Sequence, residues 1–147
     1  MTALNRKIVI LMGDDDEDDR TLLEAACADL NLNIDLRTVV DGADLIDYLL
    51  RCLRRNDAGS PPVPDLILVD LNMPRANGHQ VLSVIRAFDE FQRLPVIVLS
   101  NSKDPKDIKK AYERGATAFV AKPQAFEGLK PIILFAISQV SNEPDGN

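Results

Sequence analysis

The chain has 147 residues, 46% of them hydrophobic and 27% charged, which suits one ordinary hydrophobic core without disulfide or metal staples. A net charge of -6 and a pI near 4.7 argue against nonspecific attraction to nucleic acid or anionic membrane. Cys27 and Cys52 lie in helix-like apolar patterns with no metal-ligand spacing between them, and read as reduced core thiols. The apolar run Ile8–Met12 is too short for a signal segment or a membrane span, so a cytoplasmic protein is expected.

Apolar runs then alternate with amphipathic stretches along the chain. Lys7–Gly13 predicts a buried strand, and Glu17–Leu30 a helix with Leu22, Leu23, Ala26, Cys27 and Leu30 at helical spacing. Ile34–Val40 is half polar, which predicts a strand near a sheet edge. Gly42–Arg55 carries Leu45, Leu49 and Leu53 four residues apart and predicts a helix. The composition of Asn56–Pro64 is that of a loop.

Asp65–Asp70 (DLILVD) is the clearest strand, followed by a turn-rich loop over Asn72–Gly78 and a helix over His79–Phe88. Pro95–Ser100 is a second continuous apolar strand. Asp104 as N-cap, Pro105 at the first helical position and Gly115 as a stop bracket a polar helix. Thr117–Ala121 predicts a fifth strand. A last helix begins no earlier than about Glu127, because Pro131 is tolerated only in a first turn, and ends near Ser141. Five such units predict a flavodoxin-like α/β fold: a parallel sheet in the order 2-1-3-4-5 with five helices on its two faces.

Sites in such sheets form beyond the carboxyl ends of the strands. The first strand ends at Asp14, Asp15 and Asp16, the third at Asp70, the fourth at Ser100, and the fifth at Lys122 and Pro123. In the predicted order these strands are neighbours, so the side chains converge. Several carboxylates that close cannot all ionise without cations. Lys122 supplies one, and a hard divalent ion with oxygen ligands, Mg²⁺, suits the rest. Asp16, Asp18 and Asp19 also read as a helix cap and as charges complementing the helix dipole. Asp14 and Asp15 close a buried strand, and Asp70 closes the most apolar one, where a carboxylate is costly without a role.

These residues resemble the response-regulator receiver family from about Lys7 to Val140. The resemblance is carried by ILMGDDD (Ile10–Asp16), DLILVDLNMPRANG (Asp65–Gly78), VIVLSNS (Val96–Ser102) and GATAFVAKP (Gly115–Pro123), with 30 residues from Asp70 to Ser100 and 22 from Ser100 to Lys122. It implies that Asp70 accepts a phosphoryl group from the phosphohistidine of a sensor histidine kinase. It further implies that Asp15 ligates Mg²⁺ directly, Asp14 mainly through water, and the backbone carbonyl of Asn72 as a third protein ligand. Ser100 and Lys122 would hold the phosphoryl oxygens, across a cis Lys122–Pro123 bond. Phe119 stands where the family keeps its switch aromatic, although a plain half-buried strand residue is the alternative. Gly13 departs from the bulkier apolar residue common before the acidic pair.

The length predicts one receiver domain over 1–147, with a core of about 7–140 and a polar tail over 142–147, and because no helix-turn-helix, enzyme or basic pattern follows Val140 its output is expected to be binding rather than catalysis. The loop at Asn56–Pro64 and the lack of an output pattern after Val140 resemble the small regulators that partner bacterial phytochrome histidine kinases. His79, the only histidine, reads as a partly exposed structural residue, so the donor histidine belongs to another molecule. The last helix is more apolar than one stripe needs. Either Leu134 and Phe135 or Ile132 and Ile137 fall outside the core, which points to a homodimer or kinase-docking surface with the neighbouring strand. A competing class is an aspartate-nucleophile phosphohydrolase of the haloacid-dehalogenase type, for which Asp14 and Asp16 formally read DxD. A third is a pseudo-receiver that only binds partners.

Overall fold

The computed structural model describes residues 6–54 and 59–140. Ten elements alternate: β1 (Ile8–Gly13), α1 (Glu17–Asp29), β2 (Ile34–Val39), α2 (Gly42–Leu53), β3 (Leu66–Val69), α3 (Gly78–Ala87), β4 (Val96–Ser100), α4 (Pro105–Glu113), β5 (Ala118–Ala121) and α5 (Leu129–Ser138). The sheet is parallel throughout, in the order β2-β1-β3-β4-β5. Half-polar β2 lies at an edge, as its composition predicts.

The three central strands are continuously apolar because both faces are covered. Alternate side chains sort to opposite sides. Ile10, Met12, Leu66, Leu68, Ile97 and Leu99 pack with Leu23, Cys27, Ile133 and Ile137 of α1 and α5. Leu11, Ile67, Val69, Val96 and Val98 pack with Leu45, Leu49, Leu82, Ile85 and Ala111 of α2, α3 and α4. Both cysteines are buried and free.

Helix ends follow their caps. Asp16 accepts from the amides of Asp18 and Asp19, Asp41 from Asp44, and Asp104 from Lys106, with Pro105 opening α4. Asn77 and Gln80 form a capping box at α3. The last helix starts at Leu129 after a 3-10 turn over Phe126–Gly128, which leaves Pro131 in its first turn. A 3-10 turn at Asp89–Phe91 follows α3 and has no counterpart among the predicted elements. Of the predicted loop Asn56–Pro64, residues 59–64 carry no helix or strand; residues 56–58, Ser141 and the tail 142–147 lie outside the described residues.

Two expectations are corrected. Every described peptide bond is trans, including Lys122–Pro123. The lysine stem reaches across to the β1 and β3 ends without a cis bond. His79 is buried, with 7% of its surface exposed, because Gly78 lets the start of α3 press down against the chain at Asp70 and Leu71. A Cβ at residue 78 would lie 2.7 Å from the Asp70 carbonyl oxygen.

Candidate phosphoryl and metal site

Register levels the acidic residues. Gly13 pairs with Val69, so Asp14 and Asp70 leave the sheet side by side, and the Asp70 amide donates to the Gly13 carbonyl at 3.0 Å. On the other flank Ser100 pairs with Ala121, and the Lys122 amide donates to the Ser100 carbonyl at 3.0 Å. Asp14, Asp70 and Ser100 are all buried. Gly13 faces the Leu45 and Met73 side chains, and a Cβ there would lie 2.8 Å from Leu45 Cδ1, so a bulkier residue would require that side chain to shift.

The Lys122 ammonium sits in the middle. Its Nζ lies 2.8 Å from Asp70 Oδ2, 3.0 Å from Asp14 Oδ2 and 2.7 Å from Asp19 Oδ2. Burial pulls the lysine's proton affinity down, but the hydrogen bonds to Asp19, Asp70 and Asp14 outweigh it and leave the ammonium harder to deprotonate than usual. Asp14 is raised to about 6, chiefly by burial. Hydrogen bonds from the Asp16 amide (2.9 Å) and Lys122 only partly offset that cost. Arg20 donates to the Asp14 carbonyl at 2.8 Å and steadies the loop.

Buried Asp14 and Asp70 and exposed Asp15 each offer a carboxylate oxygen, and these oxygens lie within 4.8 Å of one another. An all-oxygen, anionic donor set of this kind fits a hard divalent cation. The Asn72 amide donates to Asp70 Oδ1 at 3.2 Å, folding the β3–α3 loop over the strand end. That loop is pinned to α2: the Gly42 amide donates to the Pro74 carbonyl, and Arg75 (φ 68°) pairs with Asp41 at 2.8 Å and Asp44 at 2.9 Å.

Asp19 was readable only as a dipole-complementing residue, yet it joins the pocket. The signal was its spacing: Asp19, Leu23, Ala26 and Cys27 share one helical face, and the three apolar members are buried. Asp16 is turned to its cap, so the second carboxylate of the formal DxD is spent on the Asp18 and Asp19 amides. Ser100 Oγ accepts from the Ser102 amide at 3.0 Å. Phe119 is half-buried against the α2–α4 side of the core, and its amide donates to the Tyr112 hydroxyl at 3.0 Å. Beside Lys122 an open recess is lined by Met12, Leu22, Leu99, Pro123, Phe126 and Leu129. On α5, Leu134 (49%) and Phe135 (41%) are the exposed pair, whereas Ile137 is buried. Among the described residues no helix is long and apolar enough to cross a membrane.

The chain is 31% identical over 122 residues to the probable methanogenesis regulatory protein FilR2 of Methanothrix harundinacea, covering 83% of this chain and 76% of that protein. The crystal structure of the phosphorylated cyanobacterial phytochrome response regulator RcpA matches with a TM-score of 0.81 and 30% identity, covering 92% of this chain and 98% of that one. The Mn²⁺-bound form of response regulator Rcp1, a protein of Synechocystis, matches with a TM-score of 0.80 and 27% identity over 93% and 99% of the two chains. The family model described as the response regulator receiver domain matches residues 10–134. With that pattern running from the first strand into the last helix, the chain belongs to the response regulator receiver domain family.

Proposed function

We propose that Asp70 is a phosphoacceptor, served by a histidine kinase and assisted by Mg²⁺. The observation that carries the reading is the Lys122 ammonium 2.8 Å from the Asp70 carboxylate, inside a pocket whose carboxylates outnumber it. Asp14, Asp15, Asp70 and the backbone carbonyl of Asn72 would hold the ion. When bound, Mg²⁺ neutralises charge on the transferring phosphoryl oxygens, where positioning and electrostatics do most of the catalysis.

The carboxylate oxygen of Asp70 attacks the phosphorus of a phosphohistidine. The P–O bond forms as the P–N bond breaks, and the leaving imidazole nitrogen keeps the electron pair and takes a proton from water. Lys122 binds one phosphoryl oxygen and the Ser100 hydroxyl another. Phe119 follows Ser100 as the switch residue, biasing a two-state population that partners read. The chain acts as one receiver domain with output by binding, and its only catalysis is its own phosphotransfer and dephosphorylation. RcpA's description as a phytochrome response regulator favours a bacteriophytochrome kinase as the donor.

Intact mass after incubation with acetyl phosphate tests the reading. The expected result is one acid-stable, base-labile phosphoryl adduct that needs Mg²⁺ and vanishes in Asp70→Asn. An adduct that survives that substitution overturns it. We also assign α5 with β5 to a homodimer surface, supported by exposed Leu134 and Phe135. Sedimentation of a monomer at high micromolar concentration, with and without a phosphate analogue, would sink that assignment.

A further inference from the structure

A second polar set lies along the seam between α3 and α4, outside the chemistry assigned to Asp70. Its buried end is His79, whose Nδ1 has no hydrogen-bond partner among the described residues. Its Nε2 lies 3.5 Å from Asp107 Oδ1. Asp107 Oδ2 accepts from the Ser102 hydroxyl at 2.5 Å, and that hydroxyl oxygen accepts from the Asp104 amide at 3.3 Å. The Ser102 amide donates to Ser100 Oγ at 3.0 Å. A continuous train thus runs from the hydroxyl at the end of β4 to the start of α3.

The fold does not need this chemistry. A buried imidazole with one unpaired nitrogen is more costly than an apolar side chain of similar size at the same place. The bare Nδ1 also assigns the tautomer: a proton there would be a buried unpaired donor, so it resides on Nε2 and faces Asp107. The Ser102 hydroxyl holds the Asp107 carboxyl below the usual carboxylate range, against the opposing pull of burial and with further help from His79. Arg114, the charged residue that caps the end of α4 at this seam, donates to the His79 carbonyl and to Ser83 Oγ, both at 3.3 Å, leaving the ring to Asp107.

We propose that Ser102, Asp107 and His79 position the Ser100 hydroxyl, and that a phosphoryl group on Asp70 is registered at the His79 ring. The inference rests on the reading of Asp70 as phosphoacceptor and of Ser100 as a donor to the phosphoryl group. With a lone pair of Ser100 Oγ held by the Ser102 amide, the serine's own proton is the group left to donate into the pocket. Once Oγ is drawn to a phosphoryl oxygen, the Ser102 amide must follow it or release it. Either movement shifts the Ser102 hydroxyl on Asp107, and Asp107 in turn changes its contact with Nε2. His79 and Asp107 are positioning residues here; neither touches the reacting atoms.

The single histidine makes the test specific. Long-range ¹H–¹⁵N spectra of the imidazole are recorded before and after acetyl phosphate and Mg²⁺, with intact mass on the same sample. The expected starting spectrum is that of the neutral ring protonated at Nε2, and the Nε2 resonance moves as the adduct forms. In Ser102→Ala the adduct forms about threefold to tenfold more slowly, the loss expected of one net hydrogen bond, and the imidazole stays still. Ser102→Thr restores both. Asp107→Ala, at a half-exposed position on α4, cuts the same link with the same expectation. An adduct in the unaltered protein with an unmoved imidazole overturns the proposal while leaving phosphoacceptance intact, as does Ser102→Ala that still moves the ring. No adduct at all removes the phosphoacceptor reading and this inference with it.

Discussion

Asp65 and Asp70 flank the same strand, yet their carboxylates live in different electrostatic settings. Asp65 accepts from the Val9 amide at 2.8 Å and from both terminal nitrogens of Arg6 at 3.0 and 3.2 Å. Those partners tie the start of β3 to β1. Asp70 accepts from the Asn72 amide and shares its one cation, Lys122, with Asp14 and Asp19. The difference is therefore one of counter-charge. At the amino end of the strand a carboxylate is neutralised by a forked guanidinium, whereas at the carboxyl end several carboxylates compete for one ammonium. The second arrangement is the one with charge left over for an incoming cation.

The largest expected contrast between the two ends is in labelling. Asp70→Asn abolishes the acetyl-phosphate adduct, while Asp65→Asn labels within about twofold of the unaltered protein, because a neutral acceptor retains most of one net hydrogen bond. Intact-mass time courses decide it, and loss of labelling in Asp65→Asn would erase the distinction.

Next comes Asp14, whose folded-state value near 6 exceeds the ordinary 3.8, mainly through burial. An acid raised in the folded state stabilises the fold below its unfolded value, and that contribution is lost as pH rises through about 6. In chelator, the protein is expected to be less stable at pH 8 than at pH 5. Asp14→Asn removes that slope and stabilises by about 1–2 kcal/mol at pH 8, discounted from the full shift because the pocket mouth is open to solvent. Urea unfolding at the two pH values checks both statements. Mg²⁺ narrows the gap for the unaltered protein alone.

Smaller effects belong to the other end of β3. Asp65→Ala strands the Val9 amide and costs about 1 kcal/mol, with no dependence on Mg²⁺. Arg6→Ala breaks an exposed pair and costs less than about 0.5 kcal/mol. A Mg²⁺-dependent change in the unfolding midpoint of Asp65→Ala would mean that the two ends communicate.

Much of the fold was legible because the strands end where their apolar runs end and because Asp16 and Asp104 mark the starts of α1 and α4, whereas the caps at Asp41 and Asn77 were not read and α5 opens without a side-chain cap. The candidate site was legible in the same way, since Asp14, Asp70 and Ser100 follow or close buried strands and Lys122 follows half-buried β5. Three things were not. Asp19 looked like any acidic residue in a first helical turn, His79 looked half exposed, and the Lys122–Pro123 bond looked cis.

The amino-acid sequence by itself determined the alternation of elements, the parallel sheet and the residue types at its carboxyl edge. These follow from local periodicity and from the two faces a parallel strand must bury. Only the tertiary structure decided that, of the acidic run Asp14–Asp19, Asp14 and Asp19 join Asp70 in sharing Lys122. It also decided that Gly78 seats His79 in the α3–α4 seam, within reach of Asp107. Asp19 and Lys122 are 103 residues apart, and His79 and Asp107 are 28 apart. Contacts of that range depend on how helices pack on the sheet, and no local pattern encodes them.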